Sequence, residues 1–256
     1  MSSPIWTPAA LSSELTAYRG RGWRLVEAQH RVSTLKLVDT LAEQQLLEAL
    51  IDATKPPVPP ECAGLDYLLA TPFRYDAVYP AGSRFRRAGR TPGVFYAAEA
   101  PETAVAEMAF HRLLFYAESP ETPWPAGVAD YTAFAAQFAT DRRLDLGAPP
   151  LDRDQAFWRD FCDYRACQDF GDAARAAGAE LIRYVSVRDP AHGSNLAALT
   201  CGVFAAPAPV DRQTWWLRLG PHGVQALCEF PKTAMEFDSD AFAADPRIAA
   251  LIWERP

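Results

Sequence analysis

Glu107 stands where a carboxylate is expensive. From Ala104 to Phe115 the chain is apolar almost all round a helical wheel, with Val105, Met108, Phe110, Leu113 and Leu114 leaving little room for charge. A helix of that composition is a buried one, and a buried carboxylate must be paired or hydrogen-bonded. Two chemistries meet the requirement: a structural ion pair, with His111 one turn on as partner, or a carboxylate kept for catalysis. Ahead of it come Arg84 and Arg86, in Gly82-Ser83-Arg84-Phe85-Arg86, and Tyr96, eleven residues before the glutamate. An arginine fork holds phosphate oxygens, an aromatic ring stacks on a flat base, and a carboxylate grips a ribose hydroxyl. The ordered set suits a dinucleotide. Arg84, Arg86, Arg87 and Arg90 together make a local basic patch fit for a small anion, or else a solvated turn. A further piece is Tyr184-Val185-Ser186-Val187-Arg188. Strand alternation puts Tyr184, Ser186 and Arg188 on one face, lining a cleft or an ordinary half-exposed strand.

These residues need elements to hold them. Thr91-Pro92-Gly93 is a turn signal ahead of a short β-prone run at Val94–Ala97, and Pro101 opens the helix of Glu107, predicted to reach about Tyr116. Strands are expected at Asp130–Phe138 and Arg142–Leu146, a second helix at Asp152–Ala177 stopped by Gly178, and strands at Leu181–Val187 and Leu196–Phe204. Trp215–Leu219 and Val224–Phe230 flank Gly220-Pro221-His222-Gly223 as a hairpin. Residues 1–60 read as helical, on the spacing of Leu35, Val38, Leu41, Leu46, Leu47, Leu50 and Ile51. Pro56, Pro57, Pro59 and Pro60 then form a stiff connector. The expectation is an α+β chain: an N-terminal helical extension over 1–60, then 61–256 with a mainly antiparallel sheet and interspersed helices.

Composition removes several function classes. The net charge of -7 argues against nucleic-acid binding, which needs a basic surface to neutralise phosphates. The five cysteines form no C-x-x-C pair, so each is expected to be a small buried hydrophobe rather than part of a disulfide framework or zinc site. His30, His111, His192 and His222 lie far apart and prompt no metal site. No G-x-G-x-x-G, P-loop lysine motif, G-x-S-x-G or H-E-x-x-H occurs. No signal peptide or membrane-spanning apolar run is visible, and a soluble cytoplasmic protein is expected.

Over residues 68–205 the motifs resemble the RES-domain family. The matching stretches are Gly82-Ser83-Arg84-Phe85, Gly93-Val94-Phe95-Tyr96, the helix with Ala106-Glu107, and Tyr184-Val185-Ser186-Val187-Arg188 followed by Gly193-Ser194-Asn195. Short members of the family carry two glycines before the arginine, then tryptophan and asparagine. Here Gly82-Ser83, Phe85 and Arg86 stand there, which leaves Arg86 as an alternative to Arg84. Thr71-Pro72-Phe73-Arg74-Tyr75 is expected in the same core, and the N-terminal extension resembles a longer subgroup.

The resemblance implies a fold like that of ADP-ribosyltransferases and NAD as substrate. It implies cleavage of the nicotinamide–ribose bond by phosphorolysis, with inorganic phosphate as co-substrate, or by hydrolysis, or else ADP-ribose transfer to a protein target. It also implies a toxin silenced by an Xre-type helix-turn-helix antitoxin; an inactive binding module is the non-enzymatic alternative. The catalytic set it implies is Arg84, Tyr96, Glu107 and Ser186, with Arg74, Arg86, Arg188 and Asn195 as further binding residues and no metal.

Overall fold

Strand β3 (Ala129–Asp145) organises the sheet. Alternation along it sends Tyr131, Ala133 and Ala135 to one face and Phe134, Ala136 and Phe138 to the other, all buried. The computed structural model describes residues 6–27, 37–74 and 78–255, so His30, Leu35 and Tyr75 lie outside the described residues. Strand β1 (Thr16–Glu27) runs antiparallel along one edge of β3, from Thr16↔Arg143 to Glu27↔Tyr131. The other edge is divided. β6 (Asp211–Gly220) takes its first half, and β4 (Leu181–Val185) pairs in parallel with Arg143–Asp145. β5 (Ser194–Ala198) joins β4, and β2 (Phe95–Ala98) joins β5 and meets β1 at Trp23↔Ala98. Five strands therefore return on themselves, while β7 (Gly223–Cys228) and β8 (Thr233–Phe237) continue outward from β6. All pairings except β3–β4 are antiparallel, as expected of the α+β class.

Three apolar clusters fill the fold. Helix α1 (Pro8–Ser13) contributes Leu11 to the second of them. In the first, the helix Pro101–Glu118 packs on Trp23, Tyr131, Trp215 and Leu217, with Phe242, Ile248 and Leu251 from the C-terminal segment. In the second, the helix Arg165–Ala176 covers Ile182, Tyr184 and Ala197, beside Phe85 and Trp158. In the third, Phe95, Phe134, Phe138 and Leu196 meet Leu69 and Phe73. A polar lock ties the closed strands together. Glu99, just past β2, accepts from Tyr18 Oη (3.0 Å) and from Arg183 Nε and Nη2 (2.9 and 2.8 Å), and Arg183 also donates to Ser194 Oγ at 2.7 Å.

Four expectations change. Residues 1–60 are not helical throughout, because 16–27 form β1, a full member of the sheet that pairs with β3 beyond the proline run. Helix α2 (Leu41–Ala53) does form, started by a Thr40/Glu43 capping box, but it turns Gln44 inward and leaves Leu41, Leu46 and Leu50 exposed. It is followed by α3 (Tyr67–Ala70). With α4 as Pro101–Glu118, the helix expected over 152–177 is split into a 3-10 turn, α5 (Gln155–Trp158) and α6 (Arg165–Ala176). The Asp160 carboxylate accepts from the amides of Cys162 and Asp163 at 2.8 and 2.6 Å, a local turn that competes with helix. The two strands expected at 130–146 are one, since pairing with β1 runs unbroken across Ala139 and Thr140. Finally, Cys62 and Cys201 form a disulfide instead of packing as free hydrophobes, and Cys162 is exposed. No helix among the described residues is long and apolar enough to cross a membrane.

Candidate functional site

Glu107 is held by one oxygen and open at the other. Its Oε1 accepts from Ser186 Oγ and Asn195 Nδ2, both at 2.6 Å. Its Oε2 faces Arg188 Nη1 and His111 Nε2, each at 3.9 Å, beyond hydrogen-bond range. The side chain keeps 22% exposure, and the helix is not buried all round as its composition suggested: His111 and Phe115 are exposed. Both readings of the sequence thus meet here: the carboxylate has ionic neighbours, and it retains an unsatisfied oxygen.

Ser186 is the first residue past β4 and is wholly buried. Its hydroxyl donates to Glu107 and accepts from the amides of Arg188 (3.2 Å) and Asp189 (3.0 Å). The turn it opens is closed by Ser186 N donating to Gly193 O at 2.8 Å. Asp189 locks that turn onto α4, accepting from Thr103 Oγ1 at 2.8 Å and Gly193 N at 3.1 Å. Gly193 is required there, because a Cβ would lie 2.0 Å from Thr103 Oγ1. Arg188 is buried, donates to Tyr164 Oη, and lies with its guanidinium carbon 4.4 Å from the Phe110 ring centre. Two buried atoms beside Glu107, Arg188 Nε and Asn195 Oδ1, find no partner among the described residues. Buried polar atoms in this state mark a place for water or ligand.

The arginine turn approaches from the other side. Gly82, at φ +66°, lets Ser83 and Arg86 bond to each other across Arg84-Phe85 (2.7 and 3.2 Å). Tyr96 pins the turn: its hydroxyl bonds Ser83 Oγ at 2.8 Å and accepts from Phe85 N at 3.0 Å, and burial pushes the phenol above its usual range. Gln168 of α6 donates to the carbonyls of Ser83 and Arg86. Arg84 is buried, donating to Trp158 O (2.6 Å) and Asp160 O (2.9 Å) with its guanidinium 4.7 Å from the Tyr164 ring centre. Tyr164 therefore stands between Arg84 and Arg188, beside an open cavity of about 420 Å³ lined by Ala81, Cys162, Asp163, Arg165 and Gln168.

The structure brings Arg84, Glu107, Ser186, Arg188 and Asn195 into one connected network. Arg86 is not part of it: its guanidinium bonds Thr91 and covers the Tyr79 ring at 3.3 Å, closing its own loop. Arg74 is also elsewhere, donating to Pro56 O at 2.5 Å near Asp52 of α2. Sequence reasoning missed Tyr164, Thr103 and Asp189 as members. Asp189-Pro190 is a turn dipeptide, but nothing local announces that its carboxylate reaches α4. Among the described residues no group of three or more His, Cys, Asp or Glu side chains could hold a metal.

A family profile described as the RES domain matches residues 58–220. The chain belongs to the RES-domain family. Each residue of the network so far lies inside the RES-domain match, which β1 and α2 precede and β7 and β8 follow. Among solved structures, the M. tuberculosis MbcT–MbcA toxin–antitoxin complex is similar, with 12% identity and a TM-score of 0.46 over 93% of this chain and 95% of that one. No curated protein matches the chain.

Proposed function

We propose that this RES-domain protein is the toxin of a toxin–antitoxin pair and acts by breaking the nicotinamide–ribose bond of NAD. The observation that carries the reading is Glu107: one carboxylate oxygen fixed by Ser186 and Asn195, the other without a hydrogen bond, on a side chain that keeps 22% exposure. Cleavage at an anomeric carbon passes through an oxocarbenium-like state, so a fixed anion beside the ribose stabilises the charge as it develops. Nicotinamide is cationic in NAD and leaves neutral, so the departing group needs no acid.

Each remaining residue then takes a role. Ser186, being wholly buried, orients Glu107 and the 186–193 turn rather than touching substrate. Asn195 supports the same oxygen and offers its free Oδ1 to a donor. Tyr96 fixes the arginine turn, and Arg84 holds the Trp158–Asp160 backbone and the ring of Tyr164, which borders the cavity. Water or inorganic phosphate is the acceptor. Transfer to a protein side chain would use the same residues and would show as labelled protein. An Xre-type helix-turn-helix antitoxin, the partner implied by the family resemblance, would silence the site.

The test is NAD consumption by purified protein, with and without inorganic phosphate, products separated by mass. Phosphorylated ADP-ribose marks phosphorolysis, and free ADP-ribose marks hydrolysis. Glu107→Gln should keep the fold and abolish NAD loss; turnover near that of the parent protein refutes the assignment.

A further inference from the structure

The chain runs on past the family-matched stretch, and its last segment reaches back to the site. Helix α7 (Pro246–Ala249) is capped by Asp245, which is 1% exposed. Asp245 grips Arg247 with both oxygens, Oδ1 to Nε at 2.9 Å and Oδ2 to Nη2 at 2.6 Å. The same Nη2 donates to Phe161 O at 3.2 Å, and Cys162 Sγ lies 4.0 Å from Asp245 Oδ1. The guanidinium is thereby fixed in place, a bidentate geometry that costs little further ordering. It is aimed at the ring of Phe110, one turn along α4 from Glu107, with its carbon 5.7 Å from the ring centre. Arg188 approaches the same ring at 4.4 Å.

Both arginines keep donors in hand. No described residue accepts from Arg247 Nη1, and the side chain is 33% exposed. Arg188 Nε is buried without an acceptor. We propose that Arg247, held by Asp245, is a binding residue of the site and that with Arg188 it takes a phosphate oxyanion. That oxyanion is either the diphosphate of the dinucleotide or free inorganic phosphate acting as acceptor. Two guanidiniums against one aromatic ring, each with a donor that no described residue takes, suit phosphate oxygens better than a neutral group. The inference rests on the NAD reading for the identity of the ligand, and on this geometry alone for its charge.

The experiment is calorimetric binding of inorganic pyrophosphate and of inorganic phosphate to the full chain, beside NAD turnover, for the parent protein and for Arg247→Met, Arg247→Lys and Glu107→Gln. Losing a charge-assisted donor pair should raise the pyrophosphate or phosphate Kd roughly 10- to 100-fold in Arg247→Met. Arg247→Lys should fall between, and Glu107→Gln should not weaken this binding. A raised KM for NAD with the phosphate KM unchanged assigns the diphosphate; the reverse assigns the acceptor. Should Arg247→Met fail to fold, Arg247→Lys decides, with at least a threefold rise in Kd expected. Unchanged anion affinity and unchanged KM values in a folded Arg247 variant overturn the inference even if the parent protein consumes NAD. Absence of anion binding by the parent protein at millimolar concentration overturns it as well. Anion binding that depends on Arg247, in a protein that never consumes NAD, leaves the inference standing and overturns the NAD reading.

Discussion

Replacing Ser186 by alanine removes one oxygen and three hydrogen bonds. The lost donor served a carboxylate at 2.6 Å, and a hydrogen bond to a charged group contributes about 1.5–3 kcal/mol net. The amides of Arg188 and Asp189 lose their acceptor in a place where both residues are buried. Each orphaned amide costs about 1–3 kcal/mol unless water enters the vacancy. With one amide recovered by water, the sum is roughly 4 kcal/mol. For a chain of 256 residues that corresponds to a fall in Tm of about 8–16 °C, at 2–4 °C per kcal/mol. Glu107 keeps Asn195 but loses the partner that fixes its direction, so kcat should fall about 100-fold, as small misplacements do. Scanning calorimetry and the NAD assay on the same preparation read both effects. A variant with Tm within a degree of the parent and no activity would show that the hydroxyl acts on substrate rather than as the pin of the turn. A lowered Tm with full turnover would show that Glu107 does not depend on it.

Gly193→Ala should break the Thr103–Asp189 bond, since the new methyl falls 2.0 Å from Thr103 Oγ1; a loss of at least about 2 kcal/mol in denaturant melts is expected, and a neutral effect refutes the turn's geometry. Arg84→Met should lower both Tm and NAD turnover, whereas Arg86→Met should lower Tm alone, because only Arg84 joins the network of Glu107; the opposite pattern would move the functional arginine by two residues. The Glu99 carboxyl is half-buried, which raises its pKa, but the bonds and charge of Arg183 outweigh that and hold it below the ordinary value. A depressed folded pKa gives stability that is present above about pH 4.3 and lost as pH falls through the folded value. Glu99→Gln should therefore flatten the acid limb of the stability curve, and an unchanged slope between pH 5 and 3 would count against the lock.

The parts of the site that sequence made visible are those whose signal is local. The helix of Glu107 announced itself by a largely apolar surface with a carboxylate in its middle, the 82–86 turn by its glycine and arginines, and the 220–223 hairpin by its glycines. Strand β1 was hidden because Tyr18-Arg19-Gly20-Arg21-Gly22 carries two glycines and two arginines, poor strand formers that become a strand only by lying along β3. The break at Asp160 was hidden for the converse reason: Phe157, Phe161, Tyr164 and Gln168 keep helical spacing, and a single carboxylate bonding two amides overrides it. Arg247 gave no sign at all. Asp245-Pro246 reads as an ordinary helix start, and its use at Phe110 depends on a contact across more than half the chain.

Glu107 rides on α4, whose apolar side belongs to the cluster built on β1, β6 and β7, while Ser186 and Asn195 adjoin β4 and β5, whose Tyr184 and Ala197 belong to the cluster under α6. The bonds Ser186–Glu107, Asn195–Glu107 and Thr103–Asp189 all run from the helix of the first cluster to the strand ends of the second. The site is thus a joint between elements of two apolar clusters on one continuous sheet, rather than a pocket within either cluster. Loss of these few contacts dismantles it while the sheet stays paired, so activity should be lost at lower denaturant than sheet content. A partner that wedges the joint apart would silence the protein without covering its carboxylate.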